Sequence, residues 1–336
     1  MKRLSLGLFL IAATSGVLLL SDWRQRKAGR GSVPRVALVQ HATQSILDEG
    51  VDGMVEGLAQ NGFADGKTVV IRRYNAEGDI GTANAIAREI TDGQFDLLLT
   101  ATTMSLQTVA NVNQSRKTPH VFGFVSDPFS AGVGINRANP LDHPPHLTGI
   151  GSMPLVAESF RVAQQMFPGL KTVGAPWNPA ESNSVANMLL ARKVCGELGL
   201  ELLEANIENS SAVQQATASL IARGVQALWA GGDLTIIIAL DSVITAARQA
   251  RIPVFTSIPG NVKRGALFDV GGDAAEIGRN VGEVAAKILR GADPVTIPVT
   301  NYRTERLVVN PKALAGLKDP WRLSEPVRAR AVLLGK

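Results

Sequence analysis

Residues 35–73 read RVALVQHATQSILDEGVDGMVEGLAQNGFADGKTVVIRR, and this stretch decides the fold class. Arg35–Gln40 is short, apolar and rich in valine, which predicts a strand. Ile46–Gln60 carries apolar residues at helical spacing and stops at Asn61-Gly62, a C-cap signal. Thr68–Arg73 predicts a second strand. Strand, helix and strand in this order predict a parallel pair joined by a crossover helix.

Working outward, the alternation continues. Ala83–Ile90 predicts a helix, Leu97–Thr100 a fully apolar strand, Ser105–Val112 a helix and Val121–Val125 a strand. A proline-rich break follows at Asn139-Pro140 and Asp142-His143-Pro144-Pro145-His146, as at a crossing between lobes. Helices are then predicted at Leu155–Met166, Ser182–Leu198, Ala212–Arg223, Ile236–Ala250 and Ala275–Leu289. Strands are predicted at Thr172–Ala175, Glu201–Ala205, Ala227–Ala230, Pro253–Thr256, Ala266–Val270 and near Leu307–Asn310. The class is α/β, with parallel sheets covered by helices on both faces. The break near residue 140 favours two open sheets over one continuous eight-unit barrel.

The chain has 336 residues, 45% hydrophobic and 19% charged. That balance excludes disorder and a collagen-like chain, and the length suggests two domains. The lone Cys195 excludes an intramolecular disulfide and a cysteine-based zinc site. The net charge of +5 resides in residues 1–31, where Lys2, Arg3, Arg24, Arg26, Lys27 and Arg30 stand against Asp22. The remainder is formally neutral, whereas a nucleic-acid binder carries its basic residues on the folded domain. Lys2 and Arg3 precede the uncharged run Leu4–Leu20, an export signal that is either cleaved or kept as a membrane anchor. No cysteine follows that run, so a lipoprotein anchor is excluded. A periplasmic location is expected.

In open α/β sheets, ligands sit beyond the carboxyl ends of the strands. The loops there hold Gln40–Ser45, Ala101–Ser105, Ser126-Asp127-Pro128, Pro176–Ser184 and Gly231-Gly232-Asp233. Hydroxyls, amides, carboxylates and helix N-termini suit a small polar or zwitterionic ligand. Free N–H groups near Thr102 and Thr103 suit a carboxylate, and Asp127 or Asp233 suits an ammonium. Trp177 at a strand end offers a face for a planar ligand. Thr103, Ser182 and Asp233 each precede a helix and equally suit plain N-capping. His41 lies at a strand end, as a polar loop residue or a ligand contact.

The phrases VFGFVSDPFSAG (Val121–Gly132), LTGIG (Leu147–Gly151) and APWNPAESNS (Ala175–Ser184) resemble the periplasmic solute-binding proteins of the tryptophan/tyrosine-type ABC transporter family. Tyr74–Asp79, Ala101-Thr102, Gly265-Ala266 and Val309-Asn310 extend the likeness across roughly Arg35 to Leu317. The resemblance implies a two-lobed, type I periplasmic-binding fold with three crossovers and a ligand cleft between the lobes. Lobe one is expected at 33–149 plus 258–292, and lobe two at 150–257 plus 293–336. Carried over by motif, the ligand-binding candidates are Gln40, Thr102, Thr103 and Asp127, with Asn178, Glu181, Ser184 and Asp233 opposite. Five places depart from the family pattern around the supposed pocket. Leu234 stands for an asparagine, Ile258 for an aspartate, Ala274 for a tyrosine, and Gln44-Ser45 for His-Pro; Trp177 also replaces a tyrosine.

Other motifs fail. Gly62 and Gly66 enclose three residues where a phosphate-binding loop needs four, and a strand follows rather than precedes them. Gly132 and Gly134 are followed by Arg137 where a dinucleotide fingerprint has glycine. No G-x-S-x-G elbow occurs. His143 and His146 flank two prolines that deny them helical spacing, so they read as a surface loop, and Cys195 reads as a buried structural thiol. The expectation is a non-enzymatic solute-binding component of an ABC importer. It would act as a monomer without cofactor or metal, capturing a small ligand, an amino acid with aromatic ones the first candidates, by hinge closure for an ABC permease. A membrane-anchored ligand sensor for a signalling partner is the alternative.

Overall fold

A computed structural model describes residues 33–302 and 304–335; the expected leader lies outside them. The chain begins with β1 (Arg35–Gln40), α1 (Ser45–Gln60), β2 (Val70–Asn75), α2 (Ile80–Ile90), β3 (Leu97–Ala101), α3 (Thr103–Val112), β4 (His120–Val125) and β5 (Leu147–Gly151). It continues through α4 (Val156–Met166), β6 (Thr172–Trp177), α5 (Ser182–Leu198), β7 (Glu201–Asn206), α6 (Val213–Ala222) and β8 (Ala227–Ala230). Two short helices, α7 (Leu234–Ile238) and α8 (Leu240–Gln249), lead to β9 (Val254–Thr256) and β10 (Phe268–Gly271). Then come α9 (Ala274–Leu289), β11 (Thr300–Asn301), β12 (Arg306–Val309), α10 (Glu325–Arg330) and β13 (Val332–Leu333).

The strands form two sheets rather than a barrel. Six strands run in the order β11-β5-β4-β3-β1-β2 and seven in the order β13-β12-β10-β9-β8-β6-β7. Pairings are parallel except β10 with β12. The central β3, LLLTA, is buried along its whole length, as a strand covered on both faces must be. Each sheet packs apolar clusters on both sides. Leu38, Leu99 and Val121 meet α1 and α9 on one face of the first sheet, and Val39, Leu98 and Ile86 fill the other. In the second lobe, Phe160, Trp229, Phe255 and Phe268 stack tightly in the larger core.

Sheet pairing corrects the expected lobe boundaries. All of β5, to Gly151, and also β11 belong to the first sheet, whereas β9 and β10 belong to the second. The chain crosses at 152–155, again at 272–273 and a third time at 302–305, each just past the end of a strand. Thus α9, not the segment from 258, is where the chain returns to the first lobe; there Val281 and Ala285 join its core. The predicted helix at Ile236–Ala250 is two helices, with Ala239 outside the regular helical geometry. The strand predicted at 68–73 is shifted to Val70–Asn75 by the turn in which Thr68 Oγ1 donates to Gly62 O.

Packing of α9 on α1 depends on glycine. A Cβ on Gly278 would overlap the Gly50 carbonyl oxygen, and one on Gly282 that of Met54. The two helix backbones therefore touch where side chains normally keep helices 8–10 Å apart.

Candidate functional site

The carboxyl ends of both sheets converge on one cleft, about 1030 Å³ including its open mouth. All three crossings form part of its wall, through Ser152–Leu155, through Gly271 and Gly272, and through Tyr302 and Thr304. The lobes also touch across it, where Gln107 Nε2 on α3 donates to Ser182 Oγ on α5 at 3.2 Å.

The wall from the first lobe is built with strained backbone. Thr102 has φ +106° and caps α3, its hydroxyl accepting from Ser105 N at 3.3 Å. Thr102 and Thr103 both line the cleft, and the first N–H groups of α3 have no partner within the helix. A bulge between Phe122 and Val125 breaks the β4–β5 register. It holds Phe124 at φ +57° with its ring in the cleft wall. Such outliers persist only where surrounding structure holds them, and they cluster at binding sites. Gly50 makes room for the Phe124 ring, which a Cβ there would strike.

The wall from the second lobe rests on α7. Glu181 Oε2 accepts from Leu234 N at 2.8 Å, and Oε1 accepts from Thr235 N at 3.0 Å and Thr235 Oγ1 at 2.6 Å. Asp233 Oδ1 accepts from Ile236 N at 2.8 Å. Two carboxylates thus satisfy three successive N–H groups at the start of one short helix. Asp233 is fully buried behind Glu181, and burial first, then the Glu181 charge, pushes its carboxyl up to about 7.

Of the nine residues singled out from sequence, Thr102, Thr103 and Glu181 line the cleft. The structure gives the other six different partners. Gln40 Nε2 donates to Asp48 Oδ1 at 2.9 Å. Asp127 pairs with Arg137 and accepts from Phe129 N at 3.2 Å, which holds its turn closed. Trp177 is buried in the core of the second lobe, with the Arg192 guanidinium 5.3 Å above its ring. Asn178 Nδ2 donates to Thr235 Oγ1 at 2.9 Å. Ser184 Oγ donates to Asp233 Oδ2 at 2.9 Å, so both are committed to each other. Neither Asp127 nor Asp233 is placed to meet a ligand ammonium. Asp233 is an N-cap, and at α3 the cap is Thr102 rather than Thr103.

What sequence reasoning missed is the apolar character of the lining. Met104, Phe124, Met153, Leu234, Ile237, Ile258 and Ile277 all face the cleft. A signal did exist: of the five places where the chain departs from the family pattern, four, at Gln44, Leu234, Ile258 and Ala274, are in the wall, and the fifth, Trp177, is in the core.

The remaining candidates fall outside the site. His41 is buried, and burial lowers its pKa. His143 is buried rather than on the surface, its ring nitrogens 3.1 Å from the Pro144 and Ile297 carbonyl oxygens. The Cys195 thiol is buried, which pushes it up to about 12. Among the described residues no group of three or more His, Cys, Asp or Glu is placed to hold a metal ion. None of their helices is long and apolar enough to cross a membrane.

The family described as ABC transporter substrate binding protein matches residues 35–331. The Tyrosine-binding protein of Clostridioides difficile (strain R20291) is 28% identical over 325 residues, covering 94% of this chain and 92% of that one. A conserved domain protein from Vibrio cholerae superposes with a TM-score of 0.83 at 29% identity, covering 90% of this chain and 99% of its own. The ABC domain from Streptococcus pneumonia in complex with L-Trp superposes with a TM-score of 0.84 at 22% identity, with the same coverage.

Proposed function

The chain belongs to the ABC transporter substrate binding protein family, and on that premise we propose that it captures a solute the size of an aromatic amino acid outside the cytoplasm and presents the closed form to an ABC permease. The observation that carries this reading is the cleft itself. Its walls come from both lobes and from all three crossings, so a ligand that fills it contacts both sides of a hinge. Such a ligand binds the closed arrangement better than the open one and shifts the population toward it. Tyrosine and tryptophan, named for the relatives, set the size class, and the apolar wall suits their rings. Thr102, Thr103 and Glu181 are the residues from the sequence reading that serve this role. Glu181 acts by holding α7, and the threonines by presenting hydroxyls and N–H groups.

The test is a ligand panel on protein unfolded and refolded to strip carried-over solute. Ligand at 100 times its dissociation constant adds about 2.7 kcal/mol of stability, which a thermal shift resolves. Stabilisation by an aromatic-sized solute, together with a smaller radius of gyration in scattering, supports capture by closure. No stabilisation across amino acids, aromatic acids, sugars and nucleosides overturns it.

A further inference from the structure

The second lobe carries a hollow at the far end of its sheet from the cleft. Strand β9 spans the distance between them: Val254 at its start lines the hollow, and Ser257, just past its end, lines the cleft. The hollow encloses about 790 Å³ including its open mouth. Its floor is apolar, with Ile252 and Leu267 buried and Leu317 half-buried beside them. The charged side chains among its described lining are Arg248, Arg251 and Lys312, with no Asp or Glu.

These cations differ from ordinary surface charge. None of the three has an ion-pair partner among the described residues, whereas on the same lobe Arg264 pairs with Asp241, Arg192 with Glu204, and Arg330 with Glu158 and Glu305. Arg251 stands just past α8 at φ +56°, its N–H donating to Arg248 O at 3.1 Å and the next, Ile252 N, to Ala247 O at 3.0 Å. Such a helix stop takes glycine at least cost, because a Cβ is crowded in the left-handed region. Arginine there carries backbone strain, and strain of this kind gathers at binding sites. Gly265, also in the lining, has φ +118°, and a Cβ on it would stand 3.2 Å from the Arg248 guanidinium, which lies against that bare backbone. The dipole of α8 favours cations at its end, but Lys312 comes from a separate element, the turn Pro311–Leu314 beyond β12. Three like charges with no counter-ion repel one another, and a doubly charged anion among them relieves that repulsion.

We propose that the hollow is a second binding site, separate from the cleft, for a phosphate monoester with an apolar body. The phosphoryl group sits among Arg248, Arg251 and Lys312, where two forked guanidiniums match its oxygens, and the body covers Ile252, Leu267 and Leu317. The test titrates the full-length protein with phenyl phosphate in a calorimeter at pH 7.5, where the ester is mostly doubly charged. The expected result is saturable one-to-one binding, at least tenfold tighter than that of phenol, inorganic phosphate or the singly charged phenyl sulfate. Arg251→Gly is expected to weaken it at least tenfold while the melting temperature stays level or rises, because glycine relieves the left-handed backbone. Lys312→Ala is expected to weaken it as much and Lys312→Arg to retain it. Lys263→Ala removes an exposed cation outside the hollow and should leave binding unchanged. Vesicles containing phosphatidic acid form a second arm. Co-sedimentation that Lys312→Ala abolishes assigns the monoester to a lipid, and no co-sedimentation assigns it to a free solute. Absence of saturable phenyl phosphate binding, equal binding of phenyl sulfate, equal weakening by K263A, or unchanged binding in R251G each overturns the proposal.

Discussion

Asp233 has no exposed surface, and its carboxyl is pushed up to about 7, first by burial and then by Glu181. In an unfolded chain the same group titrates at 3.8. Between those values the folded chain keeps a proton that the unfolded chain has released. The stability this proton confers is complete below about pH 4 and is lost as pH rises to about 7. Denaturant unfolding at pH 4.5, 6 and 8 should show stability falling through this window by this route. Asp233→Asn keeps an oxygen for Ile236 N and should flatten the fall. A residual slope of the same sign should survive, because burial also pushes Asp269 up to about 6. Glu181 is the complementary case. Glu181→Ala strips the partners of Leu234 N and Thr235 N. It should lower stability by about 1–2 kcal/mol, the scale of a lost helix cap, and weaken ligand binding as the Leu234 wall moves. Binding and stability both unchanged would remove Glu181 as the support of that wall.

At the scale of elements, α1 and α9 form the seam on which the first lobe depends. Gly278 and Gly282 face backbone carbonyls of α1, so Gly278→Ala must push the helices apart. A cost of about 1–3 kcal/mol is expected from such overpacking, read as a lower midpoint in urea. Gly196 is the control. It lies in α5 with no atom within 4 Å of an added Cβ, and Gly196→Ala should stabilise by about 0.5–1 kcal/mol through helix propensity. Opposite signs for two Gly→Ala changes inside helices would show that packing, not propensity, sets the seam. The glycines of α1 and α9 are visible in sequence, and so is the helical period around each. Their partnership is not, since the two helices lie more than 200 residues apart and meet only after two crossings between lobes.

For the whole molecule, the proposed function rests on closure. The bond from Gln107 to Ser182 joins lobes across the cleft and exists only when they approach. Gln107→Ala should therefore weaken ligand binding two- to tenfold, the affinity equivalent of about 0.5–1.5 kcal/mol for one hydrogen bond. The melting temperature of the ligand-free protein should change little. An equal loss of stability with and without ligand would instead mark Gln107 as a structural residue of the first lobe, where it also donates to Ala131 O at 2.9 Å.

The sequence by itself determined the α/β class, most of the strands and helices, with β5, β11, β13 and α10 left unread, and which loops end at the cleft. Those features are local: period 2 or 3.6, caps and turns are written in neighbouring residues. Helix α5 and strand β1 occupy the ranges read from sequence. The tertiary structure decided which strand-end residues face the ligand space. Asp233, Ser184 and Asn178 carry the same chemistry as Thr102, Thr103 and Glu181 in the cleft wall, yet they turn inward to hold α7, and Trp177 turns into the core. Phe124 faces the cleft because a bulge rotates it there, and Leu234 because two carboxylates fix the helix it begins. One residue of register or one helix cap moves a side chain from the cleft to the core, and no local pattern records that choice.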